Sequence, residues 1–258
     1  MDHESGKDLP RGVALSWGIE KTAQRGPKRE MSLKQIVDAA IAIADRDGLP
    51  GVSMSRVAAA LGYTSMSLYR YVPSKDDLML LMQDAVCDIP VPPEEQGKDW
   101  REGMHEFVRA IVRCFREHPW FCDIPISGVP VTPNHLKIAD WALRTMKGLP
   151  LTDHEKMSTV LLLTNYARVH AMFQRDIDRA VQSGVTQGEL SGADYGAALR
   201  QLVTPDRFPH LHPIMAAGVY TGEDADADPF GDEFEFGFER ILDGIGNFVA
   251  AKEAQPER

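Results

Sequence analysis

Thr64, Ser65, Met66 and Ser67 stand in a row, and Tyr69, Tyr71 and Lys75 follow closely. Their chemistry is recognition, not bond-breaking: hydroxyls that donate and accept, a thioether, and an ammonium. At the start of a helix, such hydroxyls can meet base edges or phosphate oxygens, and a methionine can rest on a thymine methyl. Tyr69, Tyr71 and Lys75 are spaced to hold phosphates, and Ser53, upstream, can do the same beside a capping role. Arg56 has the reach for a base or a phosphate. Leu68 and Val72 interrupt the polar run and must point inward to hold it in place.

These residues need a rigid mount, and the surrounding sequence describes one. Ser32 caps a helix in which Leu33, Ile36, Val37, Ala40, Ile41 and Ala44 share one apolar face, and Asp47-Gly48 ends it. Ser53 caps a short helix from Met54 to Leu61, with Val57, Ala58 and Leu61 facing inward. Gly62, Tyr63 and Thr64 then make a tight turn into Ser65–Tyr71. Pro73-Ser74 breaks the chain, and Ser74 caps a helix that opens with Lys75-Asp76-Asp77 and buries Leu78, Leu81, Met82 and Ala85. Two short helices joined by a turn containing glycine form a helix-turn-helix, whose second helix enters the major groove of DNA.

The charge distribution agrees. The net charge is −10, yet residues 1–80 hold 11 Lys/Arg against 10 Asp/Glu, so the acidity lies almost wholly beyond them. Lys21 to Arg29 (KTAQRGPKR) carries four positive charges and no acid. An acidic body with a basic end presents that end to phosphates. Residues 1–30 are polar and rich in Gly and Pro, and read as a flexible arm in which Leu15, Trp17 and Ile19 are the residues able to dock. Arg25, Lys28 and Arg29 are the candidates for reaching a minor groove.

The stretch GVSMSRVAAALGYTSMSLYRYVPSKDDLM resembles the DNA-binding domain of the TetR family of repressors. Leu61-Gly62, Leu68-Tyr69, Tyr71 and Lys75 match that family's pattern in order and spacing, over residues 32–86. The basic arm and the late run FEFGFERILDGIGNF are similar to the subgroup with a tetracycline-repressor-type C-terminal domain. The resemblance implies a homodimer that binds a palindromic operator in double-stranded DNA. It also implies C-terminal helices that bind a small effector, upon which DNA is released.

The rest of the chain reads as helical. Asp88 to Lys98, with three prolines, is a linker; helices are expected at Trp100–Glu117, Pro133–Lys147, Thr152–Ser183, Gly192–Val203 and Phe234–Lys252. The expected fold is therefore all-α: an arm at 1–30, a three-helix DNA-binding domain with a helix-turn-helix at 31–87, and a helical ligand-binding and dimerisation domain at 88–258. Aromatic and polar groups at helical spacing nominate Trp120, Phe121, Trp141, Asn165, Tyr166, His170, Phe173 and Gln174 as contacts for an apolar or aromatic effector. Phe234, Phe238, Ile241, Leu242, Ile245 and Val249 form a stripe that, with the second half of Thr152–Ser183, suits a dimer surface.

Other classes find little support. His210 and His212 flank Leu211 without an acid or Cys to complete a metal site. There is no P-loop, G-x-S-x-G or G-x-G-x-x-G, so neither catalysis nor a cofactor is expected. Cys87, Cys114 and Cys122 form no C-x-x-C pair and read as small buried residues of a reducing compartment. No run is long and apolar enough for a membrane span, and no signal peptide opens the chain, so the cytoplasm is expected and a membrane partner is not. A C-terminal half that only dimerises or binds a protein, without an effector, stays open as the alternative.

Overall fold

The computed structural model describes residues 9–19, 31–94, 97–125, 131–184, 193–217 and 231–254. Eleven α-helices and no strand occur among them. They fall into two compact units, Met1–Ala171 and Met172–Arg258.

In the first unit, short polar residues start the helices as the sequence leads one to expect. Helix α2 (Leu33–Asp47) opens with a capping box. Ser32 Oγ accepts from the Gln35 N–H at 3.1 Å, and Gln35 Oε1 accepts from the Ser32 N–H at 2.9 Å. Ser53, Thr64 and Ser74 accept backbone N–H groups at the heads of α3 (Met54–Ala60), α4 (Ser65–Tyr69) and α5 (Lys75–Val86). Each such cap stabilises its helix by about 1 kcal/mol. Gly62 takes φ +78°, a conformation glycine adopts without strain, and so permits the sharp turn between α3 and α4. Ile36, Ala40, Val57, Ala58, Leu68, Val72, Leu78 and Met82 are wholly buried and make one small core beneath the turn.

One element was not legible beforehand. Arg11–Ser16, read as part of a flexible arm, is helix α1, with Val13, Ala14 and Leu15 buried and its side laid on α5. Gly12 sits so close to Asp77 that a Cβ would meet its Oδ1 at 2.7 Å, so glycine is what lets the two helices approach. The arm reading therefore fails for residues 11–16.

Beyond the linker come α6 (Trp100–Glu117), a 3₁₀ turn at Pro119–Asp123, α7 (Pro133–Thr145) and the 30-residue α8 (Asp153–Gln182). Met104, Phe107 and Val108 of α6 and Ala142 of α7 are fully buried, with the Phe107 ring edge-on to Trp141 at 5.6 Å. The second unit holds the last turns of α8, then α9 (Ala193–Leu202), which packs on the short α10 (His212–Ala216), and α11 (Gly231–Glu253). On α11 the expected outward stripe is partly inverted: Phe238, Leu242 and Val249 are buried within the chain itself. Phe236 and Phe248 are exposed instead, each beneath a cation, Arg240 or Lys252.

Candidate nucleic-acid interface

Helix α4 has only five residues, so its direction is set by its neighbours. Leu68, fully buried, pins its inner face, and the chain after it returns to the core at Val72. The opposite face is left outward. Met66 is 75% exposed, the highest value for any large apolar residue of the described chain, and Tyr69 is 45% exposed. Thr64 Oγ1, which caps the helix, exchanges a hydrogen bond with Ser67 Oγ at 3.1 Å, so both hydroxyls are held at the helix start. Ser65 and Tyr71 are half-buried beside them, and Lys75 is exposed at the head of α5. Met66 and Tyr69 are thus presented on the surface beside the hydroxyls of the helix start.

Two residues, Arg56 and Ser53, differ from the sequence reading in emphasis. Arg56, nominated as a free hand, is engaged: Nη1 donates to the Gly51 carbonyl at 2.8 Å, and Nη2 pairs with the Asp47 carboxylate. The Arg46 hydrogen bond, and then that of Arg56, hold the Asp47 carboxyl well below the usual carboxylate range. Ser53 serves its cap and exchanges a hydrogen bond with Ser55 Oγ at 3.1 Å. Two residues escaped the sequence reading. Tyr63, 40% exposed in the turn, and Arg70, exposed just after α4, flank the reading surface on both sides. Arg70 and Lys75 make no ion pair among the described residues, which leaves both cations available to phosphates. Arg70 could have been found from its position alone, one residue past Tyr69. Arg25, Lys28 and Arg29 lie outside the described residues.

The nominated effector contacts of the first unit sit in different surroundings. Trp120 is buried and its indole Nε1 donates to Asp45 Oδ1 of α2 at 2.6 Å. Phe121 packs against Phe115, Trp120 and His135. Trp141 lies at the floor of an open cavity of about 360 Å³, between the linker and the α6–α7 pair, which Arg144, Lys98 and Glu106 also line. On α8, Asn165 is exposed and Tyr166 and His170 are half-buried; further along, in the second unit, Phe173 is 51% exposed and Gln174 donates to Asp178 at 3.1 Å. With Leu161, Leu162 and Val169, the exposed Asn165 and Phe173 make a continuous outward stripe on one helix.

A capped three-helix mount, a glycine turn and an outward five-residue helix define a helix-turn-helix regulator of transcription. The comparisons agree. Residues 36–82 match the model of the bacterial regulatory proteins of the tetR family, and residues 92–249 match that of the tetracyclin repressor-like C-terminal domain. The chain belongs to the TetR family and is a transcriptional repressor of it, a family of DNA-binding regulators and not of enzymes. It is 33% identical, over 96% of its length and 89% of the relative's, to the HTH-type transcriptional repressor DrrR1 of Streptomyces coeruleorubidus. It is also similar to two crystal structures of ActR from Streptomyces coelicolor. The complex with actinorhodin has 27% identity and a TM-score of 0.68, covering 83% of this chain and 94% of that one. The complex with (S)-DNPA has 26% identity and a TM-score of 0.67, covering 86% and 98%. No helix among the described residues is long and apolar enough to cross a membrane.

Proposed function

We propose that the protein is a cytoplasmic, homodimeric repressor that holds a palindromic operator through α4 and releases it when a small apolar or aromatic effector binds the C-terminal helices. The observation that carries this reading is the outward face of α4, where Thr64, Met66, Ser67 and Tyr69 are presented while Leu68 is sunk in the core. In the proposed complex Ser65, Thr64, Met66 and Ser67 meet base edges. Ser53, Tyr69, Tyr71 and Lys75 hold phosphates, and the exposed Arg70 and Tyr63 beside them do the same. Arg25, Lys28 and Arg29 enter the adjacent minor groove, and Arg56 contributes through its grip on the α2–α3 loop. We divide the chain functionally into the DNA-reading head at 31–87 and the sensing and dimerising part at 88–258.

Dimerisation is supported by the outward apolar stripe of α8 and the exposed Phe236 and Phe248 of α11, faces a lone protomer leaves in water. Effector binding is supported by the open cavity that Trp141 lines together with Lys98, Glu106 and Arg144, and by the ActR structure in complex with actinorhodin. The alternative, a C-terminal part that only dimerises, draws on the engagement of Trp120 with Asp45 and of Phe121 with its neighbours, which leaves fewer rings for a ligand. Titration separates the two readings. Full-length protein bound to a duplex selected from a random pool is titrated with actinorhodin and, separately, with a panel of polycyclic aromatics as probes. Release at micromolar probe supports sensing, and a bound fraction unmoved by every probe favours dimerisation alone.

A further inference from the structure

Hydrogen bonds from α2, from α5 and from the residue after α1 join the DNA-reading head and the α1 segment packed on it to two short runs of the first unit, 118–125 and 131–135, and a further one runs from Cys114 of α6 to the Val86 carbonyl. From α2, Asp45 Oδ1 accepts from Trp120 Nε1 at 2.6 Å and pairs with His118 Nδ1 at 2.9 Å. From α5, the buried Asp84 accepts the Asn134 backbone N–H at 2.9 Å, and its own carbonyl accepts from Asn134 Nδ2 at 3.0 Å. From the residue after α1, the Trp17 indole donates to the Val131 carbonyl at 2.8 Å; this pin is exposed and therefore the weakest.

The two runs are tied to each other and to α8. Phe121 lies tilted against Trp120, at 6.1 Å, and edge-on to His135, at 6.2 Å, joining the residues that receive α2 to those that receive α5. Arg168 of α8 donates from Nη2 to two carbonyls of the first run, Cys122 at 2.7 Å and Ile124 at 2.5 Å. A guanidinium bonded to two carbonyls, with no carboxylate pairing it among the described residues, is an unusual use of a charge, and it fixes the backbone directly after Trp120 and Phe121. Arg168 shares α8 with Asn165, Tyr166 and His170, yet it bonds no residue of the head.

We infer that Arg168, Asp45 and Asp84 are positioning residues for DNA recognition. Arg168 sets the 118–125 run, and that run with 131–135 sets the angle of the head through Asp45 and Asp84. This rests on the dimeric reading proposed above, in which two α4 helices must lie about 34 Å apart to enter successive major grooves. A head held by several polar pins keeps that spacing, and a head that has lost them samples many spacings. The correct operator is then bound less well and a wrongly spaced one is penalised less. A chain of contacts does not by itself establish coupling, so the test reads geometry instead of stability.

The test uses full-length protein, a duplex selected from a random pool for two half-sites, the same duplex with one base pair inserted between them, and a scrambled duplex. Wild type is expected to lose about tenfold or more in affinity on the insertion. Arg168→Ala and the Asp45→Ala/Asp84→Ala pair are expected to bind the selected duplex about tenfold less well and to lose only about two- to threefold on the insertion, with scrambled binding unchanged. Asp45→Asn, which keeps an acceptor for Trp120, should restore the discrimination. A variant that merely unfolds loses scrambled binding as well, and Arg168→Lys, which keeps one donor, then stands in for it with intermediate discrimination. Wild-type discrimination in all the Ala variants, or in the Lys stand-in, overturns the inference and leaves the repressor reading intact. Wild type indifferent to the insertion overturns the dimeric reading and the inference with it.

Discussion

Leu68 and Met66 lie two positions apart and play opposite parts, which makes them a clean pair to compare. Leu68 is fully buried, so Leu68→Ala should cost about 2–5 kcal/mol in chemical denaturation, the range for a leucine cut back inside a core. Met66→Ala should leave the melting temperature within a degree or two and instead relax base preference at one operator position. Arg70→Ala should weaken binding to every duplex and reduce the salt slope by about one charge, as loss of a phosphate contact does. Asp84 lends itself to a pH test. Burial pushes its carboxyl up, but hydrogen bonds with His135, Thr132 and the Asn134 backbone outweigh that and leave it below its ordinary value. A carboxyl lowered by folding contributes stability that is present above the unfolded value, near pH 4, and is lost as pH falls through the folded one. Denaturation from pH 7 to pH 2.5 should therefore show a steeper acid loss for wild type than for Asp84→Asn.

At the scale of elements, the helices that could be read from the sequence were those whose signals are local. Ser32, Ser53 and Ser74 cap the helices they were expected to cap, and Gly48 and Gly62 end helices with positive φ, because capping and chain reversal involve residues within a few positions. Helix α1 was missed for the opposite reason. Its six residues contain glycine and follow a proline, a weak local pattern, and it exists because Val13, Ala14 and Leu15 find α5 more than sixty residues away. Gly12→Leu should lift α1 from α5. Faster amide exchange in residues 13–19, with α2–α4 protected as before, is the expected readout. The outward face of α4 was legible, while the engagement of Arg56 was not, since Asp47 becomes its partner only once α2 and α3 meet. Trp120 likewise read as a ligand contact because its partner, Asp45, lies 75 residues upstream.

For the whole molecule, the acidic balance and the reading head tell one story: charge keeps the body off DNA while a small, sharply capped unit goes onto it. Cys87, Cys114 and Cys122 are all free and buried. The Cys87 thiol is pushed up, by the Cys114 thiol first and then by burial, so it stays protonated at neutral pH. Iodoacetamide at pH 8 should modify it slowly in the native protein and rapidly in denaturant, followed by mass spectrometry. What sequence could not disclose was the arrangement of the proposed sensing half, because a pocket is defined by packing between distant helices. Its nominated residues are dispersed between a buried latch, a cavity floor and an outward stripe. Sequence-selective DNA binding through α4 is best measured by fluorescence anisotropy of full-length protein. Labelled duplexes from the region upstream of its own gene, and scrambled versions of them, would be titrated across a salt series. The account predicts selective binding that survives near-physiological salt and is lost in a Thr64→Ala/Met66→Ala/Tyr69→Ala variant that still folds; equal binding of that variant and wild type would contradict it.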